Sequence, residues 1–367
     1  MIEGRKTDHL KLCAERDVEF QNTTTLLEDV RFVHDAMAEI AFSEIDLGTS
    51  FMGRKLRAPF LISAITGGMD AAKDLNRDLA KAAQELGIGF CLGSQRPMME
   101  NPSAADSYQV RRYAPDIPIL GNIGIQQAAT AKPADIERLV TSIGADGIAV
   151  HLNPAQELSQ AEGDRSFPDG AAFLRVLTKR MPGKVMVKET GCGISREVAL
   201  RLKAAGVRTL DTAGAGGTSW TRVERLRGAP GRAALAGAGR APLAGEEGGS
   251  WLDEWGIPTA ASLLETAPLG FTLVASGGIR NGLDIAKCLA LGADVCGMAL
   301  PIVRAYCGGG YDGVVGLLHR TIDELKSVMV LVGAKDLSSL KQRKILITGR
   351  LLEWKTCRSA TTGRSRK

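Results

Sequence analysis

From residue 60 onward, short β-branched apolar runs alternate with helical stretches, and the alternation recurs eight times. The runs are Phe60–Ile65, Ile88–Leu92, Ile117–Gly121, Gly147–Val150, Lys184–Lys188, Val207–Asp211, Phe271–Ala275 and Ala293–Gly297. Strands separated by helices imply a parallel sheet, because parallel neighbours need a crossover. Every second run follows a helix that closes on glycine: Leu86-Gly87-Ile88, Ile143-Gly144-Ala145-Asp146, Ala205-Gly206-Val207 and Leu291-Gly292-Ala293-Asp294. Glycine there takes the left-handed conformation that ends a helix. The junctions lie 57, 62 and 86 residues apart, and the widest gap contains residues 228–250, with seven Gly, seven Ala and two Pro. Without those 23 residues the last spacing becomes 63, close to the others. A βαβα unit repeated four times predicts an α/β fold of the (β/α)8 TIM-barrel type. A doubly wound open sheet, the competing fold, needs no such even period.

The chain has 367 residues, more than the roughly 250 of a bare barrel. Residues 1–59 read as an N-terminal extension: a charged leader, a helical stretch around Leu26–Phe42, and a hairpin at Phe51–Leu56 able to plug the barrel's bottom. The barrel is expected over 60–345, with a mobile Gly/Ala-rich loop at 228–250 after strand six and one or two closing helices over 312–342. Residues 346–367 read as a disordered basic tail. The last thirteen residues carry five bases and no acid, which accounts for the whole net charge of +5. The body therefore balances and offers no basic face for nucleic acid. Seven cysteines, odd in number and without a C-x-x-C pair, suit the reduced thiols of a cytoplasmic enzyme better than disulfides or zinc. The N-terminus is too charged for a signal peptide, and no segment reads as a membrane span.

Active sites of such barrels are built at the C-terminal ends of the strands. The residues just past the runs are Thr66-Gly67-Gly68, Ser94-Gln95-Arg96, Asn122, His151 with Asn153, Lys188, Thr212-Ala213-Gly214, Gly277-Gly278 and Ala299. Two glycine clusters, Gly214–Thr218 and Ser276–Arg280, read as a phosphate cradle, since glycines let backbone N–H groups approach an anion. Two tight turns without a ligand are the plainer alternative, but Arg280, a cation beside such a nest, asks for an anion. Lys188 is a candidate Schiff-base nucleophile or a fixed charge beside an electron-rich ring; the cradle on neighbouring strands favours a nucleotide cofactor. Glu157 cannot form a closed zinc site, whereas one carboxylate with phosphate oxygens is a common way to hold Mg2+. Taken alone, Glu157 and the cluster Arg5, Lys6 and His9 read as solvated.

These motifs resemble the type 2, flavin-dependent isopentenyl-diphosphate isomerases. The resemblance is carried by Arg5-Lys6-Thr7-Asp8-His9, Ser50-Phe51-Met52-Gly53 with Ala58-Pro59-Phe60, Thr66-Gly67-Gly68, Gly93-Ser94-Gln95-Arg96 and Asn122-Ile123-Gly124. It continues through His151-Leu152-Asn153-Pro154-Ala155-Gln156-Glu157, Gly163-Asp164-Arg165, Val187–Gly191, Gly214–Trp220, Trp255–Thr259 and Ser276–Arg280. The HLNPAQE and GAGGTSW strings are far more specific than any glycine pair, and the match spans about residues 5 to 300.

The resemblance implies an FMN ring against Ala64, Ile65, Thr66, Ser94 and Asn122, with Lys188 near its N1 side. It places the FMN phosphate on Thr218, Gly278, Ile279, Arg280, Ala299 and Leu300. Arg5, Lys6, Ser94, Arg96, His151, Asn153 and Gln156 would grip the substrate diphosphate or flank its alkene, and Glu157 would hold Mg2+. The resemblance thus reverses the solvated reading of Glu157 and of the N-terminal cations. Ile65 stands where the family commonly has methionine, and Ala213 where it often has serine, which puts one flavin contact in question. The implied reaction interconverts isopentenyl and dimethylallyl diphosphate without net electron transfer: the reduced flavin acts as acid and base, NADPH only reduces it, and Gln156 and Lys188 assist. Tetramers or octamers are implied. The alternatives are an FMN-dependent oxidoreductase of a small hydroxy acid on the same barrel, and a flavin-binding barrel without turnover.

Overall fold

The computed structural model describes residues 2–68, 70–228 and 250–364. Eight parallel strands close into a barrel: β1 (Phe60–Ile62), β2 (Gly89–Cys91), β3 (Ile119–Gly124), β4 (Gly147–His151), β5 (Val185–Lys188), β6 (Thr209–Asp211), β7 (Thr272–Ala275) and β8 (Val295–Met298). Strand order follows the chain, and β8 pairs with β1, where Gly297 stands opposite Leu61. Each apolar run supplies one strand, with ends shifted by a few residues. Closure leaves no free edge, which removes the open-sheet alternative.

Successive side chains of a strand point to opposite faces. Leu61, Cys91, Leu120, Ala149, Met186, Val274 and Val295 face inward as a dry layer. Their neighbours, such as Phe60, Phe90, Ile119, Ile148, Val187 and Leu210, pack beneath the helices in the larger core. Two residues further along, the inward row becomes Ser63, Gly93, Asn122, His151, Lys188, Ser276 and Gly297, joined by Asp211, the register partner of Lys188. The barrel interior therefore turns polar within one layer, at the strand C-termini.

The other end is stoppered. Thr49–Phe51 pairs antiparallel with Arg54–Leu56 around a turn at Met52 and Gly53, with φ of 49° and 78°. Positive φ at both turn residues is the two-residue hairpin geometry that follows strand twist. Phe51 and Leu56 pack on the dry inward layer.

The additions around the barrel depart from the sequence reading in two places. Leu26–Phe42 is not a helix: Val30–Phe32 is a strand paired antiparallel with Ile345–Ile347. The β-branched and aromatic residues at 30–33 fit a strand once a partner from the far end of the chain is present. The tail is not disordered over its described part, because Gly349–Arg364 is a helix. Leu351 is fully buried, Trp354 Nε1 donates to Glu265 Oε1 at 2.8 Å, and Arg358 pairs with Glu265 and Glu197 at 2.7 Å. Its bases looked unpartnered because their acids lie on helices distant in sequence. Between these elements Leu300–Leu331 closes the barrel, broken at Gly310, and Leu337–Lys341 follows. The 228–250 stretch lies, except for its two ends, outside the described residues. No helix among the described residues is long and apolar enough to cross a membrane.

Candidate active site

The leader is a helix, Ile2–Glu15, lying across the polar end of the barrel. Arg5, Lys6, His9, Leu10 and Cys13 line a cleft there together with the strand ends. The chain then runs beside the β6 loop: Phe20 N–H donates to Gly217 O and Ser219 N–H to Val18 O, both at 2.9 Å. One cleft gathers the site residues that the resemblance implied, whereas Gly67, Gly68, Gln95, Thr212, Gly214, Gly216 and Gly217, also just past the strands, do not line it. Ala64, Ile65 and Thr66 follow β1, and Ser94 and Arg96 follow β2. Asn122 belongs to β3, and His151, Asn153, Gln156 and Glu157 leave β4. Lys188 ends β5, Ala213 and Thr218 follow β6, Gly278, Ile279 and Arg280 follow β7, and Ala299 and Leu300 follow β8.

The two glycine loops touch backbone to backbone. A Cβ on Gly217 would stand 2.3 Å from Gly278 N, and one on Gly277 would stand 2.1 Å from Gly214 O. Gly216, Gly277 and Gly278 have φ of 106°, 95° and 73°, where side chains are strained. Beside them the Leu300–Leu331 helix begins at the cleft, where Ala299, Leu300 and Val303 are lining residues, and no side-chain cap engages its N-terminus. The Ser63 hydroxyl, also in the cleft, is buried without a hydrogen-bond partner among the described residues. These features fit the phosphate and ring of a mononucleotide. Arg280 enters differently from expectation: Nε donates to Glu19 Oε1 at 3.1 Å, and Glu19 also holds Arg304 at 3.1 Å. The anion that this cation asked for is a carboxylate of the leader, so the cradle rests on backbone amides.

On the floor, His151 Nδ1 donates to Asn122 Oδ1 at 2.7 Å. Burial, reinforced by Lys188 and Lys6, pushes His151 down to about 3. The ring is therefore neutral and presents an Nε2 lone pair. Lys188 is buried and donates to Glu189 O. Ala213 holds φ of 37°, a strained position for a side chain, at the cleft wall.

The leader brings the cations. Lys6 Nζ donates to Gly67 O, to Ser94 O at 3.0 Å and to Tyr108 Oη at 3.5 Å. Its three donors thus meet protein oxygens, and burial followed by the charge of Arg5 lowers it to about 7. Arg5 Nη1 donates to Gln160 Oε1 at 3.1 Å, while its buried Nε has no hydrogen-bond partner among the described residues. Arg96 pairs with Glu100 at 2.9 Å. Glu157 accepts from Asn153 Nδ2 and from Asp164 N–H, both at 2.9 Å. No group of three or more His, Cys, Asp or Glu among the described residues could hold a metal alone. A cation on Glu157 needs oxygens from a ligand.

Sequence reasoning missed Glu224, on the helix Trp220–Gly228. It is buried, and its Oε1 accepts from Gln156 Nε2 at 3.0 Å and Gln160 Nε2 at 2.7 Å, while His9 Nε2 lies 3.0 Å away. Arg227 holds Oε2 at 2.8 Å. Burial alone would raise this carboxyl, but His9, then Gln156 and Arg227, outweigh it and bring it down to about 2. Trp220 meets His9 edge-on, with ring centroids 5.3 Å apart. Nothing in the run Arg222–Arg227 marks one acid as buried; only the spacing after Trp220 could have drawn attention to it.

Known proteins agree with this architecture. The sequence profile of the family described as FMN-dependent dehydrogenase matches residues 1–114 and 252–347. An isopentenyl-diphosphate delta-isomerase of Methanothermobacter thermautotrophicus is 42% identical over 356 residues, covering 96% of each chain. Proteins of the same name from Methanosarcina mazei and Pyrococcus abyssi are 41% and 40% identical, covering 94% and 95% of this chain and 92% and 94% of theirs. Among solved structures, a mandelate oxidase variant (TM-score 0.62, covering 95% of this chain and 93% of that one) and a flavocytochrome b2 variant (TM-score 0.63, 95% and 86%) share the fold. Both are only 16% identical, so they speak for the fold alone. Near-complete alignment to relatives of one name, together with the flavoprotein family match, shows that this chain belongs to the isopentenyl-diphosphate delta-isomerase family, in its FMN-dependent type 2 form.

Proposed function

We propose that the cleft interconverts isopentenyl and dimethylallyl diphosphate with reduced FMN, Mg2+ and no net redox change. The observation that carries the reading is the meeting, in one cleft, of an amide-lined glycine cradle with the leader cations and the Asn153–Gln156–Glu157 set. When bound, reduced FMN supplies the acid/base centre of the allylic proton shift. Thr218, the Gly278–Arg280 backbone and the Ala299–Leu300 helix start hold its phosphate. Ala64, Ile65, Thr66, Ser94, Asn122 and Ala213 bound its ring, and Lys188 provides a buried cation on the floor.

Arg5, Lys6, Arg96, His151 and Asn153 bind the diphosphate, with Glu157 and phosphate oxygens sharing Mg2+. Gln156 is oriented by Glu224: its NH2 is committed to the carboxylate, and a neutral amide is a poor base. It therefore positions the alkene rather than taking its proton. The apolar rim of Leu10, Cys13, Leu300 and Val303 shields this end from water. NADPH acts as flavin reductant, and the protein works as a cytoplasmic homo-oligomer, a tetramer or octamer.

Isopentenyl diphosphate is incubated anaerobically with protein, Mg2+ and FMN, either oxidised or chemically reduced, and followed by proton NMR. Dimethylallyl diphosphate only in the reduced sample, with no net flavin oxidation, is the expected result. No product in either sample, but flavin reduction by a small hydroxy acid, overturns the reading in favour of an oxidoreductase.

A further inference from the structure

We infer that Asp211 is a positioning residue of the cleft floor: its buried negative charge offsets the ammonium of Lys188 and so sets how strongly the floor favours the reduced, anionic flavin. The inference rests on the flavin reading proposed above.

Lys188 and Asp211 end adjacent strands as register partners and share the inward row. They are 8% and 1% exposed. Lys188 lines the cleft, whereas Asp211 stands behind it, shielded by Ser276, whose hydroxyl donates to Asp211 Oδ1 at 2.7 Å. Ala213 N–H adds a second donor at 3.2 Å. Oδ2 is buried and has no hydrogen-bond partner among the described residues.

Burying a carboxylate with one oxygen unsatisfied is costly, and packing does not ask for it. Equivalent inward positions on other strands hold Ser63, Gly93 and Gly297, which fill the same layer without charge. Burial is the largest influence on the Asp211 carboxyl and raises it above its usual value; the Lys188 ammonium, then the Ser276 hydroxyl and the Ala213 amide, act the other way and favour the ionised form.

Of the other titratable groups near this pair among the described residues, only Glu189 is a second acid that feels Lys188. Burial raises the Cys91 thiol to about 12, and His151 is neutral. The Glu189 carboxylate is engaged by the amides of Thr190 and Gly191, at 2.6 and 2.7 Å, in the loop after β5. Asp211 is thus the acid that shares the inward row with Lys188, while Glu189 turns into the loop beyond it.

An oxidised flavin ring is neutral, and reduction adds negative charge. Removing the anion behind Lys188 therefore stabilises the reduced form. The test uses full-length protein loaded with FMN. Flavin binding is read by absorbance, and the midpoint potential by anaerobic equilibration with reference dyes. Asp211→Asn should bind FMN and shift the potential positive, raising the reduced-to-oxidised ratio at fixed potential at least about tenfold, or about 30 mV for a two-electron couple. Asp211→Ser, smaller and still able to pair with Ser276, is a second neutral variant and should shift the same way. Asp211→Glu should stay near wild type. In a Lys188→Met background the Asn substitution should have no effect, because without the ammonium the buried acid takes up a proton.

Wild-type protein that binds no FMN removes both this inference and the proposed function. FMN bound by wild type and by both neutral variants at equal potentials overturns the role of Asp211 alone.

Discussion

Gln156 on the β4 loop and Glu224 on the Trp220–Gly228 helix meet at 3.0 Å, so the orientation of the carboxamide is set by a carboxylate 68 positions away. The same oxygen holds Gln160, which in turn receives Arg5. One buried acid thus ties the proposed alkene-facing residue to the cationic leader.

Glu224→Gln should therefore impair turnover more than binding. Losing a charged hydrogen-bond acceptor is worth about 1.5–3 kcal/mol, or roughly a 10- to 100-fold change. We expect kcat to fall by that order with KM changed far less, and FMN still bound; a pure rise in KM contradicts the orienting role. Gln156→Asn should reproduce the loss. Glu224 also links stability to pH. Its folded pKa lies below the unfolded one, so its contribution is present above about 4.5 and lost as pH falls towards about 2. Denaturant titrations of wild type and Glu224→Gln should converge over that window.

Lys6 predicts a dependence at higher pH. Its ammonium is lost as pH rises through about 7, although an unfolded lysine stays charged to about 10.5. The unfolded state then binds more protons, so this group makes folding more favourable between those values as pH rises, while the cleft loses a charge. We expect the KM for isopentenyl diphosphate to increase from pH 6.5 to 8.5 by about tenfold at most. Lys6→Met should start from a higher KM and show a flatter profile. Identical pH profiles for the two proteins would remove Lys6 from the binding site.

The glycine cradle should be intolerant of a methyl group. Ala at position 217 would drive its Cβ onto Gly278 N, and Ala at 278 would add strain at φ of 73°. Both variants are expected to fold and to elute without flavin. Absorbance of the purified protein decides it, and full FMN occupancy would place the phosphate elsewhere.

The C-terminal helix should contribute to stability. Leu351 is fully buried, and its truncation to Ala should cost about 2–4 kcal/mol. Arg358→Ala removes a half-exposed partner of Glu265 and should cost about 1 kcal/mol. Chemical denaturation that finds both variants at wild-type stability would mean that the helix is not docked in solution.

The barrel was legible in the sequence because its two periods are local. Continuous β-branched apolar runs such as Phe60–Ile65 and Lys184–Lys188 mark strands buried on both faces, and the glycines after each second helix mark where strands begin. The cleft could be read for the same reason: in this fold, residues just past each strand share one end, so Asn122, His151 and Lys188 were bound to converge. The tertiary structure decided what depends on partners distant in the chain. Val30–Phe32 is a strand only because Ile345–Ile347 lies beside it. The basic tail is a docked helix because Glu265 and Glu197 meet it, and Arg280 is neutralised by Glu19. Glu224 and Asp211 looked like any other acids. Their burial and their hydrogen-bond donors come from separate elements brought together by closure, and no local pattern carries that information.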